Sequence, residues 1–156
     1  MGSRSKTDRA YIAGFLDGDG SLMLQIKKRK DGAVKYRFMA TICFYQDSRH
    51  EKPLHWIKKI LGIGYVSRRN DGMSELRING FEQVHRILHD LMPYLQFKKI
   101  QARALYEATD LLRMKRKRSM NLKLLVEHIL TVQNSNYVTK HKKTRMDFYI
   151  VLGLTP

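Results

Sequence analysis

The sequence predicts an α+β fold, with helices packed on an antiparallel sheet and further helices towards the C-terminus. Three observations predict it. Two pairs of segments alternate in polarity about the turn signals Asp31-Gly32 and Asn70-Asp71-Gly72, as hairpins with one buried and one wet face do. Helical stripes precede, separate and follow these pairs. The leading helix, Ile12–Gly20 (IAGFLDGDG), is built of apolar and very small residues and ends in two acids separated by one glycine.

That helix starts near Thr7 or Asp8, since either side chain can accept from the free amides of a first turn. Ala10, Ala13, Gly14 and Gly18 are small, and Gly14 and Gly18 stand four apart on one face. Glycine lowers helix propensity, so a surface helix gains nothing from two of them, whereas a helix pressed against another helix does. Asp17 and Asp19 fall at the C-terminal end, where a carboxylate is unfavourable unless a cation or a donor compensates it. A divalent metal would do so. A calcium loop fails on spacing, because its fifth ligand position would be Ser21 and its bidentate glutamate would be Lys28. Two aspartates that merely cap a turn are the plainer alternative, and the flanking helix and strand weigh against it.

Ser21 to Arg29 reads as the first strand, with Leu22, Leu24 and Ile26 apolar, Ser21, Gln25, Lys27 and Arg29 polar, and Met23 the exception. The return strand places Val34, Tyr36, Phe38, Ala40, Ile42 and Phe44 on one side, with Lys35, Arg37, Met39, Thr41, Cys43 and Tyr45 on the other. Asp47-Ser48 closes it. A helix begins near Glu51, with Pro53 in its first turn and a stripe of Leu54, Ile57, Ile60 and Leu61. Strands follow at Ile63–Arg69 and Met73–Asn79, the second with Leu76 and Ile78 inward. Ser67, Arg69, Glu75 and Arg77 make the outer side polar, so the two hairpins can join into one basic surface. Helices are predicted over Phe81–Met92 (stopped by Pro93), Lys98–Leu112 and Asn121–Val132. Met114–Arg118 is a basic run read as a solvated loop. Lys140–Arg145 is another, leading into an apolar tail, Phe148–Leu154.

The 156 residues suit one domain, 1–156, with 1–6 as a flexible start. Thirty Lys and Arg against fourteen Asp and Glu give a formal net charge of +16, an excess that points to a polyanionic partner. Nucleic acid comes first, ahead of a membrane surface or a ribosome. No apolar run approaches the roughly 20 residues of a spanning helix. The single Cys43 excludes an internal disulfide and fits a reducing compartment.

IAGFLDGDG resembles the signature of the LAGLIDADG homing endonucleases, filling all nine places with apolar-for-apolar changes and Gly18 for the second alanine. The resemblance covers Ala10 to Tyr106 well and the C-terminal third loosely. It implies the αββαββα fold of that family, with a four-stranded antiparallel, saddle-like sheet and extra C-terminal helices. It also implies an endodeoxyribonuclease that makes Mg²⁺-dependent double-strand breaks in a long pseudo-palindromic DNA site, across the minor groove and with short 3′ overhangs. One motif per chain supplies one acidic tip, and two strands need two reaction centres, so a homodimer is expected through Ala13, Gly14, Asp17 and Gly18. By resemblance, Asp19 and the Gly18 carbonyl hold the metal, Asp17 caps the paired helices, and Gln46 and Lys98 lie near the water and the phosphate. Mn²⁺ or Ca²⁺ is expected to substitute for binding, and Ca²⁺ not to support cleavage. The basic residue expected shortly after Gln46 is either Arg49 or His50.

The wet face is expected in the major groove. Arg29, Arg37, Arg69 and Arg77 suit bidentate contact with guanine, Gln25 suits adenine, and Lys27 and Lys35 suit guanine or phosphate. Glu75 either accepts from cytosine or orients a neighbouring arginine. Met23, Thr41, Cys43 and Ser67 complete that face, and Lys140, Lys142 and Lys143 add phosphate contacts. The expected partners are duplex DNA and a second copy, with no membrane and no small-molecule cofactor. The expected location is intracellular: an organelle if an organellar intron encodes the chain, otherwise a microbial cytoplasm. The rival readings are a catalytically silent intron maturase or nucleic-acid-binding regulator on the same fold, and, from charge alone, a ribosomal or RNA-packaging protein.

Overall fold

A computed structural model describes residues 5–114 and 121–156. Within these, the order is α1 (Lys6–Asp19), β1 (Gly20–Lys28), β2 (Tyr36–Asp47), a 3₁₀ turn (Ser48–His50), α2 (Lys52–Leu61), β3 (Tyr65–Arg68) and β4 (Met73–Asn79). Next come α3 (Phe81–Leu91), a second 3₁₀ turn (Met92–Tyr94), α4 (Lys99–Arg113), α5 (Leu122–Ser135) and α6 (Arg145–Leu152). The basic run expected after α4 lies, beyond Met114, outside the described residues.

The four strands form one antiparallel sheet in the order β1-β2-β4-β3. Its register lines up the predicted inward residues. Leu22 stands opposite Ile42 and Ile42 opposite Ile78, while Phe44 stands opposite Leu76, and all five are fully buried. Ile12 and Leu16 of α1, Leu54 and Ile57 of α2 and Ile87 and Leu88 of α3 join them in one core. Helices α4 and α5 pack beside β1. The outward row carries Ser21, Cys43 and Arg77 side by side, and next to it Met23, Thr41 and Asn79.

Several expectations need correcting. Helix α1 is capped by Ser5, whose Oγ accepts from the Asp8 amide at 3.0 Å, rather than by Thr7 or Asp8. This leaves Asp8 in the first turn, where its charge complements the helix N-terminus. The first hairpin loop runs over 29–35, and the Arg29 amide donates to the Lys35 carbonyl at 2.8 Å. Val34 is therefore loop, 52% exposed, and not part of the return strand. The third strand is shorter than Ile63–Arg69 because Gly62 and Gly64 adopt positive φ (72° and 103°) in leaving α2. At Gly64 a Cβ would stand 2.8 Å from Leu76 Cδ1, so close approach as well as φ requires glycine there. Part of the C-terminal apolar tail forms α6, opened by a capping box between Thr144 and Asp147.

Candidate active site and nucleic-acid face

The acidic tip of α1 splits into two environments. Asp17 accepts from the backbone amides of Gln96 (2.7 Å), Phe97 (3.2 Å) and Lys98 (2.9 Å). Those amides lead into α4, whose N-cap residue Lys98 makes no side-chain cap bond, so Asp17 does the capping from another helix. In return Lys98 Nζ donates to the Asp17 carbonyl at 2.6 Å, placing a cation at the C-terminal end of α1. Burial opposes the charge on Asp17, yet the three amides and Lys98 outweigh it and hold the carboxyl below its ordinary value. Burial pushes Lys98 down as well, against the pull of Asp17 and Asp19, and it ends below the usual lysine value. The resemblance implied that Asp17 caps the paired helices of a dimer; its carboxylate accepts here from amides of its own chain, ahead of α4.

Asp19, the last residue of α1, is exposed and makes no hydrogen bond among the described residues. It opens into a depression of about 500 Å³ shared with Gly18, Lys98, Gln101, Tyr45 and Arg69. The site thus combines the tip of α1, the start of α4 and the polar face of the sheet. Among the described residues no group of three His, Cys, Asp or Glu forms a closed metal cage. One exposed carboxylate, Asp19, beside the backbone carbonyls of a helix end makes an open donor set. Mg²⁺ suits such a set, since it keeps several waters and takes one or two carboxylates.

Gln46 does not line this depression; its Oε1 accepts from the neighbouring Asp47 amide at 2.9 Å. The two candidates for the basic residue differ sharply. Arg49 is locked on Asp47 through Nε (3.0 Å) and Nη2 (2.7 Å), which holds the Asp47 carboxyl far below the usual carboxylate range. His50 is exposed and has no hydrogen bond or ion pair among the described residues.

Of the expected interface residues, Gly14 and Gly18 face outward, and a Cβ on either would meet nothing within 4 Å. Ala13 is fully buried in the chain's own core and cannot belong to an exposed face. Thr41 and Cys43, expected on the DNA-facing side, lie on that side but have no accessible surface. Both are on a central strand, and Thr41 Oγ1 is already donating to Asn79 Oδ1 at 2.8 Å. Lys27, Arg29, Lys35, Arg37 and Arg69 are exposed, while Met23, Gln25, Ser67, Glu75 and Arg77 are half-buried. Glu75 accepts from Arg77 Nε at 3.1 Å and lies 4.0 Å from Arg69 Nη1, so it orients arginines. Arg69 also pairs with Asp71 at 2.8 Å and lies over the Tyr45 ring. Lys140, Lys142 and Lys143 are exposed.

Sequence reasoning missed Gln101, Asn136, Tyr137 and Val138, which line the Asp19 depression. Only Gln101 carried a signal, as one of two polar residues, with Thr109, on the inner face of α4.

The family model of the LAGLIDADG endonucleases matches residues 12–107, more than half of the chain. DNA endonuclease I-CvuI of Chlorella vulgaris is 42% identical over 94 residues, 60% of this chain and 58% of that protein. DNA endonuclease I-CreI of Chlamydomonas reinhardtii is 33% identical over 92 residues, 59% and 56% respectively. The matched stretch thus spans under two-thirds of either relative. The structural likeness reaches further: a crystal structure of I-CvuI with its target in the presence of 2 mM Ca superposes with a TM-score of 0.79 at 29% identity, covering 96% of this chain and 97% of that one. The match of residues 12–107 takes in the acid-tipped helix, the whole sheet and the start of α4 that Asp17 caps, and this chain belongs to the LAGLIDADG endonuclease family.

Proposed function

We propose that the protein is a site-specific DNA endonuclease that works as a homodimer and makes double-strand breaks in a long, pseudo-palindromic duplex. One observation carries this reading: the depression holding Asp19 and Lys98 is also lined by Met23, Tyr45 and Arg69 of the sheet's polar face. A backbone lying on that face passes within reach of the acid. The whole of 1–156 acts as one domain in this reading, inside the cell where its DNA is.

Asp19, with the Gly18 carbonyl, would hold Mg²⁺, which neutralises the scissile phosphate and lowers the pKa of an attacking water. Lys98, held on the Asp17 carbonyl and lining the same depression as Asp19, presents its ammonium to the phosphate. His50, with no hydrogen bond or ion pair among the described residues, serves as the basic group beyond Gln46, because Arg49 is spent on Asp47. The two outward glycines of α1 let a second copy approach, and a twofold pair of α1 tips brings two Asp19 side chains to neighbouring positions on opposite strands.

The test is incubation with a randomised duplex pool and Mg²⁺, followed by sequencing of cut ends. Paired cuts with short 3′ overhangs in a site of approximate twofold symmetry are expected, and Ca²⁺ in place of Mg²⁺ should leave binding without cutting. Binding without cutting under every metal would replace this reading with that of a silent maturase or regulator.

A further inference from the structure

The 3₁₀ turn that leads out of β2, Ser48–His50, is anchored on both sides to the β3–β4 hairpin. At its start the Ser48 amide donates to the Gly72 carbonyl at 2.9 Å. Ser48 Oγ lies 2.9 Å from Ser74 Oγ, and Ser74 Oγ donates to Glu51 Oε2 at 2.5 Å. A hydroxyl has one proton to give and an ionised carboxylate has none, so Ser48 is the donor to Ser74. Just past the turn, Glu51 takes a two-point grip from Arg68, the last residue of β3, through Nε (3.2 Å) and Nη2 (2.9 Å). His55, one turn along α2, stands 3.6 Å from the same carboxylate. Ser74 is fully buried, and the Glu51 side chain is 17% exposed. Within the turn, Arg49 is folded onto Asp47. His50 is exposed and has neither hydrogen bond nor ion pair among the described residues. Met73, between the anchor points Gly72 and Ser74, stands opposite Asp47 and lines the Asp19 depression. The turn is thereby fixed to a wall of that depression. A three-residue 3₁₀ turn has few and poorly aligned hydrogen bonds of its own. An ion pair to an arginine as exposed as Arg68 (69%) adds little to stability, whereas a bidentate grip fixes geometry. What the linked side chains set is position.

We propose that Glu51 is a positioning residue for His50: gripped by Arg68 and Ser74, its carboxylate holds the 48–50 turn against the hairpin and so places the imidazole relative to the phosphate at Asp19. The inference rests on the reading of the protein as an endonuclease with His50 as its basic group. It adds to that reading residues that act through the turn and not on the DNA. From sequence Glu51 was only the start of a helix, because its partners Arg68 and Ser74 lie 17 and 23 residues further along.

The measurement is a double-substitution cycle on single-turnover cleavage in Mg²⁺, with the duplex site recovered from the randomised pool as substrate and affinity for it taken in Ca²⁺. Glu51→Gln keeps an acceptor for Ser74 and loses the charge that Arg68 grips. It should slow cleavage by about 10-fold and leave affinity within about twofold of the wild type. In a His50→Ala background, with no imidazole left to place, the same change should slow cleavage by less than about twofold. A residue that only supported the fold would slow both backgrounds alike. Should Glu51→Gln fail to fold, Ser74→Ala leaves the Arg68 pair intact and cuts the link to Ser48. It should slow cleavage by about threefold, again only where His50 is present. A wild-type rate from the folded variant, or equal slowing with and without His50, overturns the proposal. His50→Ala cutting at the wild-type rate would instead overturn the assignment of His50 as the basic group, so the two failures are separable.

Discussion

Asp17 and Asp19 sit two residues apart on the same helix and have opposite roles. Asp17 takes three backbone amides and the flank of a lysine, and it is fully occupied in joining α1 to α4. Asp19 is exposed and makes no hydrogen bond among the described residues. A carboxylate that accepts from three backbone amides contributes to the fold and has little capacity left for a metal. A carboxylate left bare at a helix C-terminus is electrostatically unfavourable until a cation arrives. The motif therefore spends one acid on stability and reserves the other for chemistry.

The largest effect expected from this contrast is catalytic. Asp19→Asn should lower Mg²⁺-dependent cleavage by at least about 10²-fold, the scale of losing one charge-stabilising group, while DNA affinity and Tm stay at wild-type values. Cleavage at the wild-type rate by the Asn variant would end the assignment of Asp19 as the metal-holding acid. Asp17→Ala should do the reverse, costing about 2–3 kcal/mol of stability through stranded amide donors and lowering cleavage only through displacement of Lys98. Urea denaturation against single-turnover cleavage separates the two. If Asp17→Ala left stability unchanged, the capping role would be wrong.

The glycines of the same helix sharpen the comparison in another way. Nothing lies within 4 Å of a Cβ at Gly14 or Gly18, so in an isolated chain each glycine only weakens the helix. Gly14→Ala and Gly18→Ala should each stabilise a monomer by about 0.5–1 kcal/mol. In the proposed dimer they should weaken association and turn double-strand cutting into nicking at low protein concentration. Sedimentation of the double variant decides the matter: a dimer of undiminished affinity would show that this face is not where copies meet.

How much of this was legible beforehand follows from the range of each interaction. The inward row Leu22, Ile42 and Ile78 was readable because alternation along a strand is local and the sheet merely aligns it. The burial of Thr41 and Cys43 was not, since alternation gives the side on which a residue points and not what its neighbours on adjoining strands cover. Asp17 meets Gln96, 79 residues further along, and no pattern within α1 announces that. Asn136 reaches Leu22 across 114 residues, which is why the C-terminal wall of the site stayed unseen while its acid was found.

The smallest effect concerns acid. Because Asp17 has a folded-state value lowered from 3.8, the unfolded chain takes up its proton first as pH falls. Its contribution is complete above the ordinary carboxylate range and disappears as pH drops through the lower folded value. Glu51 behaves alike and further: Arg68 and Ser74 overcome burial and bring it down to about 2. The two groups must therefore be told apart by substitution rather than by wild-type titration. Asp17→Asn should flatten the part of the acid limb of Tm against pH that lies below the ordinary carboxylate range, and Glu51→Gln should remove a separate share of it; a limb left unchanged by Asp17→Asn would mean that the carboxylate held by the three amides adds nothing to the fold.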